Sequence, residues 1–141
     1  MADIASASSI PRPRDKPVFW ISSSLEDLSE FPKPVKKVIG FAIRQAQKGG
    51  MHIHAKSLNG YKGASVLEVI ADHDTNTFRS VYTICFRRAI YVLHCFQKKS
   101  KSGIKTPQRE IALIGRRLKD AQEHYENWIT EQNRETQSDG E

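Results

Sequence analysis

The sequence has no apolar run that approaches the roughly 20 residues a membrane-spanning helix needs. Its N-terminal stretch also lacks the apolar core of roughly 7 to 15 residues that marks a secretory signal peptide. We therefore expect a soluble cytoplasmic protein with no membrane partner. Glycine-rich phosphate-binding loops and serine nucleophile motifs are absent as well, which excludes the common nucleotide-binding and serine hydrolase classes.

Cysteine is scarce, with only Cys85 and Cys95 in the chain. Both fall in a predicted hairpin whose tight turn is placed at Arg87 and Arg88, which pairs Cys95 with Ser80. In that register the two thiols point to opposite faces of the sheet, so they cannot form a disulfide. Two buried free thiols in a reducing compartment are expected.

Acidic residues are few in the middle of the chain. Residues 32–119 contain 18 lysines and arginines but only 4 aspartates and glutamates, a net charge of +14, whereas residues 1–31 and 120–141 carry −2 and −6. A basic region of this size favours a polyanionic partner, and nucleic acid fits better than an acidic small molecule. The alternative is a basic surface that serves only solubility.

Strand and helix patterns indicate one domain, residues 16–130, between a disordered N-terminal tail, residues 1–15, and an acidic disordered C-terminal tail, residues 131–141. The predicted fold class is α+β, with N-terminal helices packed on a twisted antiparallel sheet of about four strands and a long C-terminal helix after it. The predicted strands cover residues 16–22, 65–71, 77–86 and 89–97.

Three helices are expected from apolar spacing and end signals. The first has Ser24 and Asp27 in the spacing of a capping box, the second ends at Gly49, and the third has Thr106 as its N-cap. The third helix could pack entirely on its own domain, or its later turns could dock another chain. Its apolar stripe comprises Ile111, Ile114, Leu118, Ala121, Tyr125 and Trp128.

The stretch FQKKSKSGIKTP, residues 96–107, joins the last predicted strand to the last helix and contains four lysines. A basic loop at a sheet edge can contact a phosphate backbone without burying its ammonium groups. Arg79 lies opposite Phe96 in the predicted register, or opposite Gln97 if the turn is one residue longer, and in both cases close to where these lysines begin. It should either pair with an acid such as Glu68 or face an open anion site, and we expect the anion site.

Metal binding has little support in the sequence. His52 and His54 lie in a glycine-flanked loop without a visible third and fourth ligand, whereas structural zinc sites need four. His94, inside an apolar strand, is a candidate for proton transfer, although a histidine there often serves only the sheet. No metal and no cofactor is expected.

Two stretches, FRSVYTI and YVLHCFQKKSKSGIKTPQREIALIGRRLK, resemble the RelE/HigB-like toxins of type II toxin-antitoxin systems, in the phage-related, Tad-type branch of the RelE/ParE superfamily. The resemblance extends from about residue 17 to residue 125 and includes SLNGYKGASVLEVIADHDTNTFRSVY. Many relatives have an arginine two residues after the strand glutamate, where this chain has Ile70. The two predicted tails lie outside the resemblance.

The resemblance implies a RelE-like fold and a toxin that cleaves mRNA, usually on the ribosome, and so inhibits translation. It also implies neutralisation by a helix-turn-helix antitoxin encoded next to it, in a hetero-oligomeric complex. The candidate catalytic residues are Arg79, Lys98, Lys99, His94 and Tyr82. The candidate RNA-binding residues are Lys101, Lys105, Lys56, Lys62, Arg87 and Arg88.

Metal-free RNA cleavage needs a base for the 2′-hydroxyl, cations for the charge that grows on the phosphate, and an acid for the leaving oxygen. Arg79 with Lys98 or Lys99 would stabilise the phosphate, and a lysine, His94 or Tyr82 would move protons. Two other functions stay open. One is a ParE-like toxin that binds a protein target such as DNA gyrase, and the other is an inactive basic RNA-binding module.

Overall fold

The computed structural model describes residues 15–58, 65–98 and 106–139. Within these ranges the chain forms five strands and three helices in an α+β arrangement, which confirms the predicted fold class. The elements in chain order are β1 (Val18–Trp20), α1 (Ser24–Ser29), α2 (Lys33–Gln47), β2 (Ala55–Ser57), β3 (Val66–His73), β4 (Asn76–Thr83), β5 (Ile90–Lys98) and α3 (Gln108–Asp139).

The five strands form one sheet in the order β1-β5-β4-β3-β2. Its centre is the predicted antiparallel meander of β3, β4 and β5. Two details differ from the prediction. The first strand lies parallel to β5, so the sheet is mixed, and the short strand β2 adds a fifth member beside β3. Three residues, AKS, show too little apolar alternation to be recognised as a strand without their neighbour.

The β3–β4 connection is a two-residue turn in which Asp74 and Thr75 both have positive φ, 49° and 66°. Such turns match the twist of a hairpin, and Asn and Asp are among the residues that tolerate them. The predicted pairing of Arg79 with Phe96, and of Ser80 with Cys95, is confirmed. The β4–β5 connection is longer than predicted, however, because β4 already ends at Thr83.

The longer connection changes the environment of one thiol. Cys85 lies in this connection and is exposed, so the expectation of two buried thiols is wrong for Cys85 and right for Cys95. Burial raises the pKa of the Cys95 thiol to about 11, against a weaker lowering effect of its hydrogen bond with Ser80.

A bulge interrupts the pairing of β4 with β5. Val81 pairs with His94, whereas Tyr82 pairs with Val92, so Leu93 is an extra residue in β5. A bulge of this kind puts two successive side chains on the same face of a sheet. Leu93 packs in the apolar cluster under α3, and the His94 ring stacks on Phe96, which packs against that same cluster. Both side chains therefore face α3.

The sheet has apolar cores on both faces, because α1 and α2 cover one face and α3 covers the other. On the α2 face, Val35, Ile39 and Ala42 pack against strand residues such as Val69 and Val92. The α2 stripe is buried as predicted, and α2 ends where Gly49 adopts a φ of +89°, with Gly50 N–H bonded to Gln45 O at 2.8 Å.

Helix α3 crosses the other face of the sheet with the predicted apolar stripe inward. Ile114 and Ala121 are fully buried, and the rest of the stripe packs around them. The stripe thus packs on its own domain. The helix continues to Asp139, where the sequence predicted a disordered tail from residue 131. Half of the segment TEQNRETQSD consists of the good helix formers Glu, Gln and Arg, and extending a helix that is already nucleated is easier than starting one.

Residues 1–14 of the predicted N-terminal tail lie outside the described ranges. Asp15 is described, and its Oδ2 forms an ion pair with Arg44 Nη2 at 3.0 Å. The capping box predicted for Ser24 and Asp27 is not formed: the N-cap of α1 is Ser23, with no side-chain bond to the backbone, and Ser23 Oγ instead donates to Asp27 Oδ2 at 2.8 Å. None of the helices in the described ranges has the length and apolar content that a membrane span requires.

Candidate functional site

Beneath the first turns of α3, the otherwise apolar α3 face of the sheet holds a group of polar side chains. Three come from the strands, one each from β3, β4 and β5, and three come from α3 or the residues just before it. We call this group the polar layer; its members are Glu68, Arg79, His94, Thr106, Glu110 and Arg117.

The first half of the polar layer is a buried ion pair. Arg79 Nη1 donates to Glu68 Oε2 at 3.0 Å, and the two side chains are only 3% and 4% exposed. Thr106 Oγ1 donates to the same carboxylate oxygen at 2.6 Å and accepts from Arg79 Nη1 at 3.2 Å. Buried charges are stable only when paired and hydrogen-bonded, so each member of this triad depends on the others.

This geometry corrects the expectation for Arg79. The residue does not face an open anion site; it forms the internal pair with Glu68 that the sequence left as the alternative. The reason is strand register. Arg79 lies directly opposite Ile70, which places Glu68 on the same face one diagonal step away, within reach of a long side chain. Arg79 Nε finds no hydrogen-bond partner among the described residues.

The second half of the polar layer is centred on His94. Arg117 Nη1 donates to His94 Nδ1 at 3.2 Å. Because a guanidinium can only donate, Nδ1 must accept, and the ring proton is assigned to Nε2. His94 Nε2 then donates to Glu110, with distances of 3.2 and 3.3 Å to its two carboxylate oxygens.

Burial lowers the pKa of His94 below its usual value, and nearby Arg117 lowers it further. The hydrogen bond and the charge of Glu110 act in the opposite direction, as does the charge of Asp27, but burial is the largest effect. The lowered pKa agrees with the tautomer above, because a neutral ring is required for Nδ1 to accept. His94 is therefore a neutral imidazole whose one N–H is aimed at a carboxylate.

Arg117 connects this pair to the rest of the domain. Its guanidinium also donates to Leu93 O at 2.9 Å and to Ser23 Oγ at 3.3 Å, and Ser23 in turn bonds Asp27. The carbonyl of Leu93 belongs to the bulge, so Arg117 provides a donor where the ladder is interrupted. The result is a continuous chain of hydrogen bonds from α1 through α3 to β5.

The sequence did not single out Glu110, Thr106 or Arg117 as site residues. A signal was present in their spacing, because Glu110, Ile114 and Arg117 are related as i, i+4 and i+7 and therefore share one face of α3. Glu110 and Thr106 were interpreted only as helix-end residues. Which strand side chains would lie beneath them depends on the packing of α3, which local patterns do not define.

Lys98 is the last residue of β5 and pairs with Thr77. Strand alternation places its side chain on the α3 face with Phe96 and His94, about 13 Å along the strand from His94 at roughly 3.3 Å per residue. Lys98 is half-buried. The other lysines of the predicted basic loop, Lys99, Lys101 and Lys105, and also Lys62, lie outside the described residues.

Tyr82 is not part of this group. It belongs to the apolar cluster on the α2 face, is fully buried, and its hydroxyl has no hydrogen-bond partner among the described residues. Burial raises the pKa of Tyr82 to about 12. The thickness of the sheet separates it from His94, so the structure does not bring Tyr82 to the site as a proton carrier.

The remaining predicted residues are divided between two places. Lys56 pairs with Glu68, so it projects from the edge strand on the α3 face, where it is exposed. Arg87 and Arg88 precede β5 and so lie about 26 Å from Lys98, the length of that strand. The Arg88 guanidinium lies 5.8 Å from the ring centroid of Trp128. The structure thus gathers Arg79, His94, Lys98 and Lys56 on one face but not Arg87 and Arg88.

The described part of the chain contains no group of three or more His, Cys, Asp or Glu side chains placed to hold a metal ion. His52 and His54 have ring centroids 5.3 Å apart, and His54 N–H donates to His52 Nδ1 at 3.0 Å. Burial, and to a smaller extent the charge of His54, lower the pKa of His52. One ring nitrogen of His52 is thus already engaged in a local turn.

Chemically, the polar layer combines a carboxylate that can accept a proton with fixed charges. Glu110, whose side chain is 19% exposed, can be reached from solvent, and the Nε2–H of His94 holds its carboxylate in place. The Glu68–Arg79 pair holds the sheet beneath them. Lys98, at the end of β5, provides positive charge on the same face.

A family model described as "Phage derived protein Gp49-like (DUF891)" matches residues 26–119, well over half of the chain. The chain therefore belongs to this phage-related family of toxin-like proteins, a membership compatible with the toxin of a toxin-antitoxin pair. Searches of curated proteins and of solved structures found no match. The matched segment includes every residue of the polar layer.

Proposed function

We propose that this protein is the toxin of a type II toxin-antitoxin system, a metal-independent endoribonuclease that cleaves mRNA on the ribosome and inhibits translation. Its family membership and its resemblance to RelE/HigB-like toxins support the class. The observation that carries the catalytic part is the His94–Glu110 pair, held in one tautomer by Arg117 at the basic end of the sheet.

In this mechanism Glu110, the more exposed member of the pair, takes the proton from the 2′-hydroxyl of the RNA. The freed oxygen attacks the adjacent phosphorus, the bond from phosphorus to the 5′-oxygen breaks, and an ammonium group at the rim protonates the leaving oxygen. Lys98, with Lys99, Lys101 and Lys105, would stabilise the growing phosphate charge. His94 donates through Nε2 to Glu110 and so orients its carboxylate.

Arg79 has a different part in this proposal from the one the sequence indicated. It is 2% exposed and paired with Glu68, so it positions the strands rather than contacting phosphate. His94 is also nearly covered, at 6% exposure. Because these two side chains are almost fully covered, the site needs further catalytic groups from another molecule, which supports dependence on the ribosome.

The test is to induce the wild type and a Glu110→Gln variant in cells and to map the 5′ ends of mRNA within minutes. Wild type should create new internal ends in message and arrest growth, while Glu110→Gln should lose at least tenfold of the cleavage. Glu123→Gln, the same change at an exposed position on α3, is the matched control and should behave as wild type. Equal cleavage by Glu110→Gln would refute the assigned base.

A second function is favoured by one observation. With Arg79 engaged internally and Ile70 in place of the arginine of many relatives, two expected phosphate ligands are missing, which fits a non-catalytic, ParE-like toxin that binds a protein such as DNA gyrase. Pulse labelling separates the two, because a nuclease stops protein synthesis first and a gyrase poison stops DNA synthesis first. Absence of any growth arrest would point to an inactive RNA-binding module.

A further inference from the structure

An apolar patch lies on the side of the domain opposite the polar layer. Phe41 on α2 and Met51 and Ile53 in the following loop are 59%, 55% and 88% exposed. The Phe41 ring meets the His52 ring edge-on at 5.7 Å, and His52 stands in the chain between Met51 and Ile53, so the loop that carries these two residues lies against Phe41. We call the three exposed side chains the Phe41 patch. Exposed apolar groups that cluster in this way mark interaction surfaces more often than isolated ones.

The chain segment that carries the Phe41 patch is basic. Residues 32–58 contain six lysines and arginines and not one aspartate or glutamate. Lys37 and Lys48 stand four residues before and seven residues after Phe41, so they share its side of α2, and both are exposed. Arg44, on the same side, is neutralised by Asp15. The surface therefore presents apolar side chains inside a positive rim.

An open sheet edge adjoins the patch. Strand β2 is the last strand of the sheet, and no strand in the described ranges pairs with its outer side. Ile53 stands just before β2 in the chain. An unpaired edge can take an extended segment from another chain through backbone hydrogen bonds, while neighbouring side chains provide selectivity.

We propose that the Phe41 patch is the docking site for an acidic amphipathic segment of the antitoxin, whose aliphatic or aromatic side chains cover Phe41, Met51 and Ile53 and whose acids meet Lys37 and Lys48. The identity of this partner rests on the proposed function. The surface itself requires only apolar contact and opposite charge, so the partner is recognised by that chemistry.

Two other occupants fit the surface less well. RNA would supply negative charge, but only Phe41 of the three offers a ring on which a base could stack, and RNA has no aliphatic side chain to cover Met51 and Ile53. A second copy of this chain has many of its acids on α3, yet the apolar stripe of α3 is already packed on its own sheet from Ile111 to Trp128. Its other acidic helix, α1, exposes a single large apolar side chain, Leu25, which is too little to cover the three side chains of the Phe41 patch.

The experiment measures binding of the full chain to the protein encoded by the adjacent gene, by isothermal titration calorimetry. The double variant Phe41→Glu/Ile53→Glu should bind at least tenfold more weakly. Leu25→Glu is the matched control, because Leu25 is 50% exposed but lies on α1, outside the patch, and it should bind within twofold of wild type. A second variant, Lys37→Glu/Lys48→Glu, should also weaken binding, whereas charge reversal of exposed Lys119 should not.

Wild-type affinity in both double variants, or no binding of the neighbouring product to the wild type, would overturn the proposal. A wild-type dimer in sedimentation velocity that Phe41→Glu/Ile53→Glu converts to monomer would replace it with self-association. Loss of RNA binding by the same variant in a gel-shift assay would replace it with RNA. The titration involves no RNA cleavage, so failure of docking and failure of the nuclease assignment are separate results.

Discussion

The buried pair of Glu68 and Arg79 allows a sharp test of whether the polar layer stabilises the fold. Replacing Arg79 with Met removes the guanidinium but leaves a carboxylate that is 4% exposed, with Thr106 as its remaining side-chain partner. Removing one partner of a buried pair leaves an uncompensated charge and costs about 3 to 5 kcal/mol. For a domain of this size we expect the melting temperature to fall by about 10 to 20 °C.

The double variant Arg79→Met/Glu68→Gln removes both charges and keeps an oxygen that can accept from Thr106. It should be more stable than the sum of the two single effects predicts by about 1 to 3 kcal/mol, which is the coupling energy between the two positions. Urea denaturation of wild type, both single variants and the double variant measures this cycle, provided that the m-value is the same in all four.

Two results would refute this reasoning. Wild-type stability of Arg79→Met would show that the guanidinium is not what balances the buried carboxylate. Additive single effects would show that the two groups act independently. A double variant that is stable yet loses RNA cleavage would have a further meaning, since it would return Arg79 to a catalytic role that the internal ion pair argues against.

Three further predictions concern other parts of the fold. Burial lowers the pKa of His94 in the folded protein, so an unfolded chain binds a proton at this histidine more readily than the folded protein does. The neutral buried ring therefore contributes to stability above pH 6.5, and this contribution is lost as the pH falls below that value. His94→Asn, which keeps an acceptor for Arg117, should lose less unfolding free energy between pH 7.5 and 5.5 than the wild type loses. Ile114→Ala should cost about 2 to 5 kcal/mol in urea denaturation, because Ile114 is fully buried under α3, whereas Lys119→Ala should cost less than about 0.5 kcal/mol. A thiol reagent should titrate one cysteine in the native protein and two in denaturant, because Cys85 is exposed while Cys95 is buried with its pKa raised to about 11; two native thiols would contradict this burial.

Much of the fold could be predicted from local patterns because its main elements have strong ones. The stripe of Val35, Ile39 and Ala42 defined α2, and the turn placed at Arg87 and Arg88 gave a register in which Arg79 lies opposite Phe96. Local sequence patterns did not predict the strands that are short or that pair with residues far away in the chain. Strand β2 is three residues long, and nothing local in residues 18–20 tells whether β1 runs parallel or antiparallel to β5.

The candidate site was harder to predict, because its contacts are set by packing. The sequence left two possibilities for Arg79, an ion pair with Glu68 or an open anion site. The register of β3 against β4 places Glu68 within reach, so the ion pair forms. Nothing in the sequence distinguishes Arg117 from the other basic residues, yet its guanidinium donates both to Leu93 O in β5 and to Ser23 Oγ at the start of α1. Tyr82 was placed with the catalytic group although strand alternation directs it to the α2 face.

The extra residue Leu93 has a consequence for comparing this chain with others. Side chains alternate between the two faces of a strand that has no bulge. With Leu93 in place but no bulge, His94 would lie among the apolar residues beneath α2, and the whole sheet would separate it from Glu110. An ungapped alignment to a relative with a regular fifth strand would therefore match this histidine to a side chain of the wrong face. A search for equivalents of His94 and Glu110 in other sequences should therefore allow a one-residue insertion at the position of Leu93.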